Sequence, residues 1–211
     1  RNDMKIALKI MKIDIDLVVD LISEITIQKQ CKSKYIVNFV DSFIKGSDIW
    51  LGIEYIDGGS CLDIAKITKT VWNEEYIAII LRETLKGLKY LHSKKLIHRD
   101  IKAANILLST NGDVKLADFG VAKDLAQKEA GTTIGTPYWM APEIFGNDHY
   151  TFSADIWSLG ITAYEMSVGK PPLAGIPAFK AMMMIPNEAA PKLPEDQDWT
   201  SEFENFVEEC C

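Results

Sequence analysis

The chain has 211 residues, of which 47% are hydrophobic, so it can bury a sizeable core as one globular unit or two small lobes. Its formal net charge of −7 argues against a general affinity for nucleic acid or an anionic membrane surface. The four cysteines (Cys31, Cys61, Cys210 and Cys211) have neither disulfide-scaffold nor zinc-site spacing, and no apolar run is long enough to span a bilayer. We therefore expect a soluble protein of a reducing compartment, the cytoplasm.

The first quarter of the chain predicts a small β-rich unit with one helix. Alternating apolar residues indicate three strands, at residues 4–12, 35–43 and 49–55. Residues 16–30 carry apolar side chains at helical spacing, although β-branched residues weaken the intrinsic helicity. Asp57-Gly58-Gly59-Ser60 then ends the strand pattern, and we place a lobe boundary there.

Helices dominate the rest of the chain. Asn73 can cap a helix whose first turn carries Glu74 and Glu75, and apolar residues recur at helical spacing from Ile77 to Leu91, which indicates a core-facing stripe. Further helices are predicted at residues 154–166, 179–185 and 203–207. Between them, residues 106–108 and 114–116 flank an Asn-Gly-Asp turn, which has the form of a β-hairpin.

One short loop contains several side chains that can act in catalysis or bind a metal ion: His98-Arg99-Asp100-Ile101-Lys102-Ala103-Ala104-Asn105. A carboxylate at Asp100 can orient a hydroxyl and accept its proton, and Lys102 can hold a transferring phosphate. The side-chain oxygen of Asn105 is a hard ligand that suits Mg²⁺. Taken alone, the His-Arg-Asp tripeptide suits a turn with a solvated ion pair equally well.

Two further motifs follow in order, Asp118-Phe119-Gly120 and the run GTPYWMAPE at residues 135–143. Together with the loop above, they resemble the catalytic core of the eukaryotic protein kinases, from Ile6 to Phe206. The sequences HRDIKAAN, GTPYWMAPE and ADIWSLGITAYEM resemble the corresponding motifs of the sterile-twenty-like group of serine/threonine kinases, in its germinal-centre and Hippo-type branch.

This resemblance implies an α+β, bilobal protein-kinase fold, with a small antiparallel β lobe bearing one helix and a larger, mainly helical lobe. We expect one catalytic domain over residues 1–211, incomplete at both ends. Residues 1–56 would form the small lobe and hinge without the glycine-rich loop. Residues 57–211 would form the large lobe without its last helices.

The resemblance also implies which residues hold the nucleotide phosphates. Lys9 matches the strand lysine that holds the α- and β-phosphates of ATP, and Glu24 matches the helix glutamate that pairs with that lysine. Asn105 and Asp118 stand at the two ends of the predicted hairpin, which would bring them together as ligands of Mg²⁺.

The adenine site is assigned in the same way. Ala7 would form part of its ceiling and Leu107 its floor, and Ile53 would gate the pocket behind it. Backbone groups of Glu54 and Ile56 would hydrogen-bond the adenine edge.

The remaining matches concern transfer and its control. Asp100 would be the catalytic base, Lys102 would offset charge on the transferred group, and Thr136 would contact the catalytic loop, a pattern that belongs with serine/threonine specificity. Asp155 matches an aspartate that holds the backbone of the catalytic loop.

Residues 121–134 resemble an activation segment. A phosphate on Thr132 would add about −1.5 to −2 charges, which Arg99 and Lys123 are placed to neutralise. Thr133 is the nearby alternative, and a plain loop hydroxyl is the alternative for both.

The main hypothesis is a serine/threonine protein kinase that uses ATP and Mg²⁺, acts on protein substrates and is regulated by phosphorylation of this segment. An upstream activating kinase, a scaffold protein or homodimerisation through regions outside this chain are partners that the resemblance allows. The alternative is a pseudokinase, a scaffold module that binds nucleotide or partners without catalysis, and it is suggested by the missing glycine-rich loop and by Gln28.

Gln28 occupies a place where related kinases carry an apolar residue, in a side-chain stack with Phe39, Phe119 and His98. Our hypothesis is that a polar residue there loosens the active arrangement. We expect Gln28→Met to raise basal phosphate transfer, measured on matched preparations of the two proteins. Unchanged transfer would count against this hypothesis.

Overall fold

The computed structural model describes residues 5–14, 18–118, 123–124, 137–146, 151–195 and 197–211. Within these ranges, the side chains of Asp20, Glu24, Lys123 and Asp124 lie outside the description.

An antiparallel sheet of three strands forms the N-terminal part of the structure. The strands are β1 (Ile6–Lys12), β2 (Phe39–Lys45) and β3 (Asp48–Glu54), in the order β1-β3-β2. Helix α1 (Val18–Gln30) packs against β2. The predicted small antiparallel unit with one helix is thus present, and the register places Ala7 opposite Ile53 and Lys9 opposite Leu51.

Gly52 lies in the central strand, where a glycine is unusual. A bulge between Phe39 and Asp41 brings the β2 backbone close, so that a Cβ on Gly52 would lie 3.3 Å from the carbonyl oxygen of Asp41. The glycine therefore accommodates the bulge of the neighbouring strand.

The C-terminal part is mainly helical. Its helices are α2 (Cys61–Thr68), α3 (Glu74–Ser93), α4 (Phe152–Val168), α5 (Ala178–Met184) and α6 (Ser201–Cys210). Four short strands accompany them: β4 (Leu96–Ile97), β5 (Ile106–Leu108), β6 (Val114–Leu116) and β7 (Lys123–Asp124). Short 3₁₀ turns span Ala103–Asn105, Pro137–Trp139, Pro142–Phe145 and Ile185–Asn187.

Most of the predicted elements of this part are confirmed. Asn73 caps α3, since its side chain accepts a hydrogen bond from the backbone N–H of Tyr76. Strands β5 and β6 pair as the predicted hairpin. The sequence did not predict α2 as a separate helix or the 3₁₀ turns, and α4 is two residues longer at each end than predicted. Among the described residues, no helix is both long and apolar enough to cross a membrane.

The main core lies between α3 and α4. The predicted apolar stripe of α3 is buried there, with Ile77, Leu88 and Leu91 at most 1% exposed, and it belongs to the same core cluster as Leu159 and Met166 of α4. Burial of side chains of this size contributes about 1.5–3 kcal/mol each. The stripe is therefore structural, as predicted, and it fixes the loop that follows α3.

Backbone hydrogen bonds join the sheet to the helical part. Val37 donates its N–H to the carbonyl oxygen of Leu116 at 2.8 Å, and Leu116 donates to that of Tyr35 at 2.9 Å. At the predicted lobe boundary, the N–H of Leu108 donates to the carbonyl oxygen of Gly59 at 2.9 Å. The boundary segment is thus fastened to the hairpin that carries Asn105.

Gly58 allows this close approach. A Cβ on Gly58 would lie 2.3 Å from the carbonyl oxygen of Leu108, a distance at which the backbone has to shift. We expect Gly58→Ala to lower the free energy of unfolding by about 1–3 kcal/mol, measured by urea denaturation. Gly175→Ala is the matched control, because a Cβ at Gly175 meets nothing within 4 Å. Equal urea midpoints for the two variants would contradict the clash.

Candidate active site

Asp155 fixes the backbone of the loop that follows β4. The residue lies in the first turn of α4 and is fully buried. Its two carboxylate oxygens accept the backbone N–H groups of His98 and Arg99, each at 2.9 Å, and the Nε2 atom of His92 lies 2.8 Å away. The carboxylate therefore holds Arg99 in a conformation with φ of 70°, which a non-glycine residue rarely adopts.

The ring of His98 connects this loop to the end of β6. Its Nε2 atom lies 3.0 Å from the carbonyl oxygen of Ala117, and the backbone N–H of Asp100 donates to its Nδ1 at 3.3 Å. Because Nδ1 is the acceptor, Nε2 carries the proton in the neutral ring. The loop and the residue before Asp118 are thus held at a fixed separation.

Two predicted catalytic residues, Asp100 and Lys102, and the predicted Mg²⁺ ligand Asn105 meet at the Asp100 carboxylate, and Asp100 is 8% exposed. The ammonium of Lys102 lies 2.8 Å from one carboxylate oxygen, and the side-chain amide of Asn105 donates to the same oxygen at 2.8 Å. The amide of Asn105 also donates to the backbone carbonyl of Asp100 at 2.7 Å. The alternative of a solvated ion pair in a turn does not fit this buried, directed arrangement.

The β5–β6 hairpin brings the backbone of Asn105 next to the residue before Asp118, and a shared Mg²⁺ site of the two side chains stays a prediction. Ala117, the residue before Asp118, donates its N–H to the backbone carbonyl of Asn105 at 2.9 Å. Asp118 has a φ of 62°, and its Oδ1 accepts a hydrogen bond from Nζ of Lys9 at 2.9 Å. The predicted partner of Lys9, the carboxylate of Glu24, lies outside the described side chains.

A cavity of about 300 Å³ lies between the sheet and this hairpin. Among its lining residues are four that were predicted to bind the nucleotide: Ala7, Lys9, Ile53 and Asp118. The remaining lining residues are Leu8, Gln28, Leu51 and Ala117. Residues that are distant in sequence are thus gathered around one space large enough for a small ligand.

The predicted hinge lies beside a second cavity of about 270 Å³. Glu54 and Ile56 line it together with Lys115, whereas Leu107 lies in β5 and forms a bridge with Ser60. The backbone N–H of Glu54 donates to the carbonyl oxygen of Asn38 at 2.9 Å.

The side chain of Glu54 has a role that sequence reasoning missed. Its carboxylate lies 2.9 Å from Nζ of Lys115 and accepts a hydrogen bond from the amide of Asn38 at 2.8 Å. Burial acts to raise the pKa of this carboxyl, but the hydrogen bonds from Lys115 and Asn38 outweigh it and hold the pKa below its usual range. This contact ties the hinge to β6, and no local pattern in the sequence signals it.

Glu165 is a second residue that the sequence did not single out. It is 4% exposed, and its Oε2 accepts the backbone N–H of Ala103 and the indole N–H of Trp139, both at 2.9 Å. One buried carboxylate therefore links the catalytic loop to the GTPYWMAPE segment. Its position in an apolar helix was the available signal, because a charge there requires partners.

Burial raises the pKa of the Glu165 carboxyl, although the hydrogen bonds from Ala103 and Trp139 oppose this. A raised pKa in the folded state gives stability that is complete below the unfolded pKa, about 4.3, and is lost as pH rises through the folded pKa. We expect the unfolding free energy of the wild type to fall relative to that of Glu165→Gln as pH rises from about 4.3. Glutamine keeps one oxygen for both donors and has no charge to bury.

Urea denaturation at several pH values between about 4.5 and about 8 measures this difference. Glu204→Gln, an exposed position on α6, is the control and should show no such trend. A difference between wild type and Glu165→Gln that does not change with pH would contradict the assignment.

The predicted regulatory residues are only partly described. Thr132, Thr133 and Thr136 lie outside the described residues. The backbone of Lys123 lies in β7, opposite Ile97 of β4, and so runs beside the loop that carries Arg99. The pairing of Arg99 and Lys123 with a phosphate stays a prediction.

Comparison with known proteins decides the family. A family model described as "Protein kinase domain" matches residues 1–211, the whole chain. The chain belongs to the protein kinase family. The α+β, bilobal kinase fold expected from the sequence is confirmed, with the antiparallel sheet as its small lobe and the helical part as its large lobe.

Relatives place this kinase domain in the sterile-twenty-like group, within the Hippo-type branch. It is 49% identical to serine/threonine-protein kinase cst-1 of Caenorhabditis elegans over 207 residues. This alignment covers 97% of the present chain and 41% of cst-1. It is 48% identical to serine/threonine-protein kinase hippo of Drosophila melanogaster over 207 residues. That alignment covers 97% of the present chain and 31% of hippo. The kinase domain thus spans less than half the length of these relatives.

Proposed function

We propose that this kinase domain transfers the γ-phosphate of ATP to serine and threonine hydroxyls of proteins. The observation that carries the proposal is the buried cluster at Asp100, where Lys102 and Asn105 both contact the same carboxylate. This cluster directly precedes the β5–β6 hairpin, and Asp118, which contacts Lys9, follows the hairpin. These two sets of contacts support roles for Asp100 as the base, for a lysine as the phosphate-binding cation, and for Asn105 and Asp118 as oxygen ligands.

The cavity between the lobes would hold the nucleotide. Lys9 would bind the α- and β-phosphates, with Glu24 as its proposed partner in the active state. Ala7 and Leu107 would enclose the adenine ring, and Ile53 would limit the space behind it. The hinge backbone at Glu54 and Ile56 would pair with the adenine edge, and the contact between Glu54 and Lys115 supports this because it fixes the hinge.

Asn105 and Asp118 fit the requirements of Mg²⁺. The described residues hold no cluster of three or more His, Cys, Asp or Glu side chains that suits a metal, but Mg²⁺ bound with nucleotide needs only one or two protein ligands. Both donors of the Asn105 amide point at Asp100, which leaves its oxygen as the ligand atom. Bound Mg²⁺ would neutralise charge on the phosphates during transfer.

The Asp100 carboxylate would orient the acceptor hydroxyl. The acceptor oxygen forms a bond to the γ-phosphorus, the bond from that phosphorus to the β–γ bridging oxygen breaks, and ADP leaves. Asp100 takes the hydroxyl proton, and Lys102 offsets the negative charge on the transferred group. Thr136, by its match to the family, would support the loop and the preference for serine and threonine.

Regulation is proposed for the segment that contains Thr132 and Thr133. Phosphate on either threonine would be neutralised by Arg99 and Lys123. An upstream activating kinase, a scaffold protein and dimerisation through other regions of the protein are proposed partners. Four free thiols agree with a reducing compartment such as the cytoplasm.

The alternative, a pseudokinase that acts as a scaffold, is favoured by one observation: Gln28 is buried at a place where related kinases are apolar. Against it, Lys9, Asp100, Lys102, Asn105 and Asp118 are all present, and three direct contacts join Lys9 to Asp118 and Asp100 to both Lys102 and Asn105. We therefore favour the enzyme.

Transfer of labelled phosphate from ATP tests the proposal on the full-length protein, with a generic basic protein and the kinase itself as acceptors. We expect label on serine or threonine in both acceptors, lost when a chelator removes Mg²⁺, and the modified residue distinguishes Thr132 from Thr133. Absence of transfer, even after treatment with an activating kinase, would favour the scaffold.

A further inference from the structure

Gln28 stands out among the residues that line the cavity between the lobes. It lies on α1, is 4% exposed and lines the space shared with Ala7, Lys9 and Ile53. Its side-chain oxygen Oε1 is buried and has no hydrogen-bond partner in the part of the chain that the structure describes. A buried amide oxygen without a hydrogen-bond partner is rare in folded proteins, because burial removes its hydrogen bonds to water and no protein donor replaces them.

The other polar side chains on the cavity wall are already engaged. Lys9 and Asp118 contact each other at 2.9 Å, and the remaining described lining residues are apolar. The Gln28 amide is therefore the polar group of this wall that has most to gain from a ligand. The Oε1 atom is a hydrogen-bond acceptor, so a ligand group that pairs with it has to be an O–H or N–H donor.

We propose that Gln28 forms a hydrogen-bonding subsite in the nucleotide cavity, and that aromatic, ATP-competitive ligands bind more tightly when they carry an O–H or N–H donor there. The subsite uses the cavity assigned under the proposed function, but it does not require that the domain transfers phosphate. A neutral buried hydrogen bond of ordinary strength corresponds to a gain of about five- to tenfold in affinity.

Two quinazolines that differ in one group test the proposal: one carries a meta-hydroxyanilino substituent and the other a meta-fluoroanilino substituent. Their dissociation constants, measured by calorimetry with and without ATP, are compared for the wild type and Gln28→Met. We expect the hydroxyl compound to bind the wild type about five- to tenfold more tightly than the fluoro compound, and this preference to vanish in Gln28→Met. Binding of both compounds should weaken when ATP is present.

Gln30→Met is the matched control, because it makes the same change at an exposed position two residues further along α1. It should keep the preference of the wild type. Equal affinities of the two compounds for the wild type, a preference that survives in Gln28→Met, or binding that ATP does not weaken would each overturn the subsite. If the preference is found in a domain that transfers no phosphate, the proposed function fails and the subsite stands.

Discussion

Asp100→Asn is expected to abolish phosphate transfer and to leave nucleotide binding largely intact. Asparagine has nearly the same shape, but it cannot take the hydroxyl proton. In the wild type, one carboxylate oxygen accepts from both Lys102 and Asn105. An asparagine N–H₂ group in that place would face these two donors and could not accept from them. Removal of a general base typically lowers the rate about 10²- to 10⁴-fold. Transfer from labelled ATP gives the rate, and titration with a fluorescent nucleotide gives the affinity.

Asp198→Asn is the matched control, because Asp198 is exposed and distant in sequence from the loop. It should retain the transfer rate of the wild type. Full activity of Asp100→Asn would show that another group accepts the proton. Loss of nucleotide affinity in the variant would show instead that the mutation disturbs the cavity between the lobes.

Asp155→Asn is expected to lower both stability and activity. The carboxylate has two oxygens that serve two backbone N–H groups and lie close to Nε2 of His92, whereas asparagine has a single acceptor. At least one buried donor would then face an N–H₂ group, which costs about 1–3 kcal/mol. For a domain of this size the melting temperature should fall by about 2–12 °C. Displacement of the loop by about 1 Å would lower transfer about 10²-fold.

Thermal unfolding and the transfer rate of the folded variant measure these two effects. Asp41→Asn is the control, since the exposed carboxylate of Asp41 accepts one backbone N–H, from Ser42, and asparagine can still do so. A melting temperature unchanged in Asp155→Asn would mean that the N–H groups of His98 and Arg99 find other acceptors.

Those parts of the site that are local in sequence could be predicted from it. Asp100, Lys102 and Asn105 lie within six residues, so any tight loop brings them near each other. The hairpin around Gly112 then determines where Asp118 falls, because a short turn sets the register of its strands. The Asn73 cap and the buried stripe of α3 follow equally from local patterns.

The missed contacts join residues far apart in the chain. Lys9 and Asp118 are 109 residues apart, Lys115 and Glu54 are 61 apart, and Ala103 and Glu165 are 62 apart. Each contact depends on how complete elements pack, and no local spacing records that. Helix α2 was missed for another reason. It is only eight residues long, so its apolar residues repeat too few times to show a helical spacing.

The contact between Lys9 and Asp118 has a consequence for how salt acts on the domain. Both side chains are exposed by more than a third, 39% and 45%, so their attraction is weak, about 0–1 kcal/mol, and mobile ions reduce it. If the nucleotide phosphates bind Lys9 as proposed, they would replace Asp118 as its partner, and nucleotide binding would exchange one screened ion pair for another. Because salt weakens both pairs, the affinity for nucleotide should vary less with ionic strength than the charge of ATP alone would suggest.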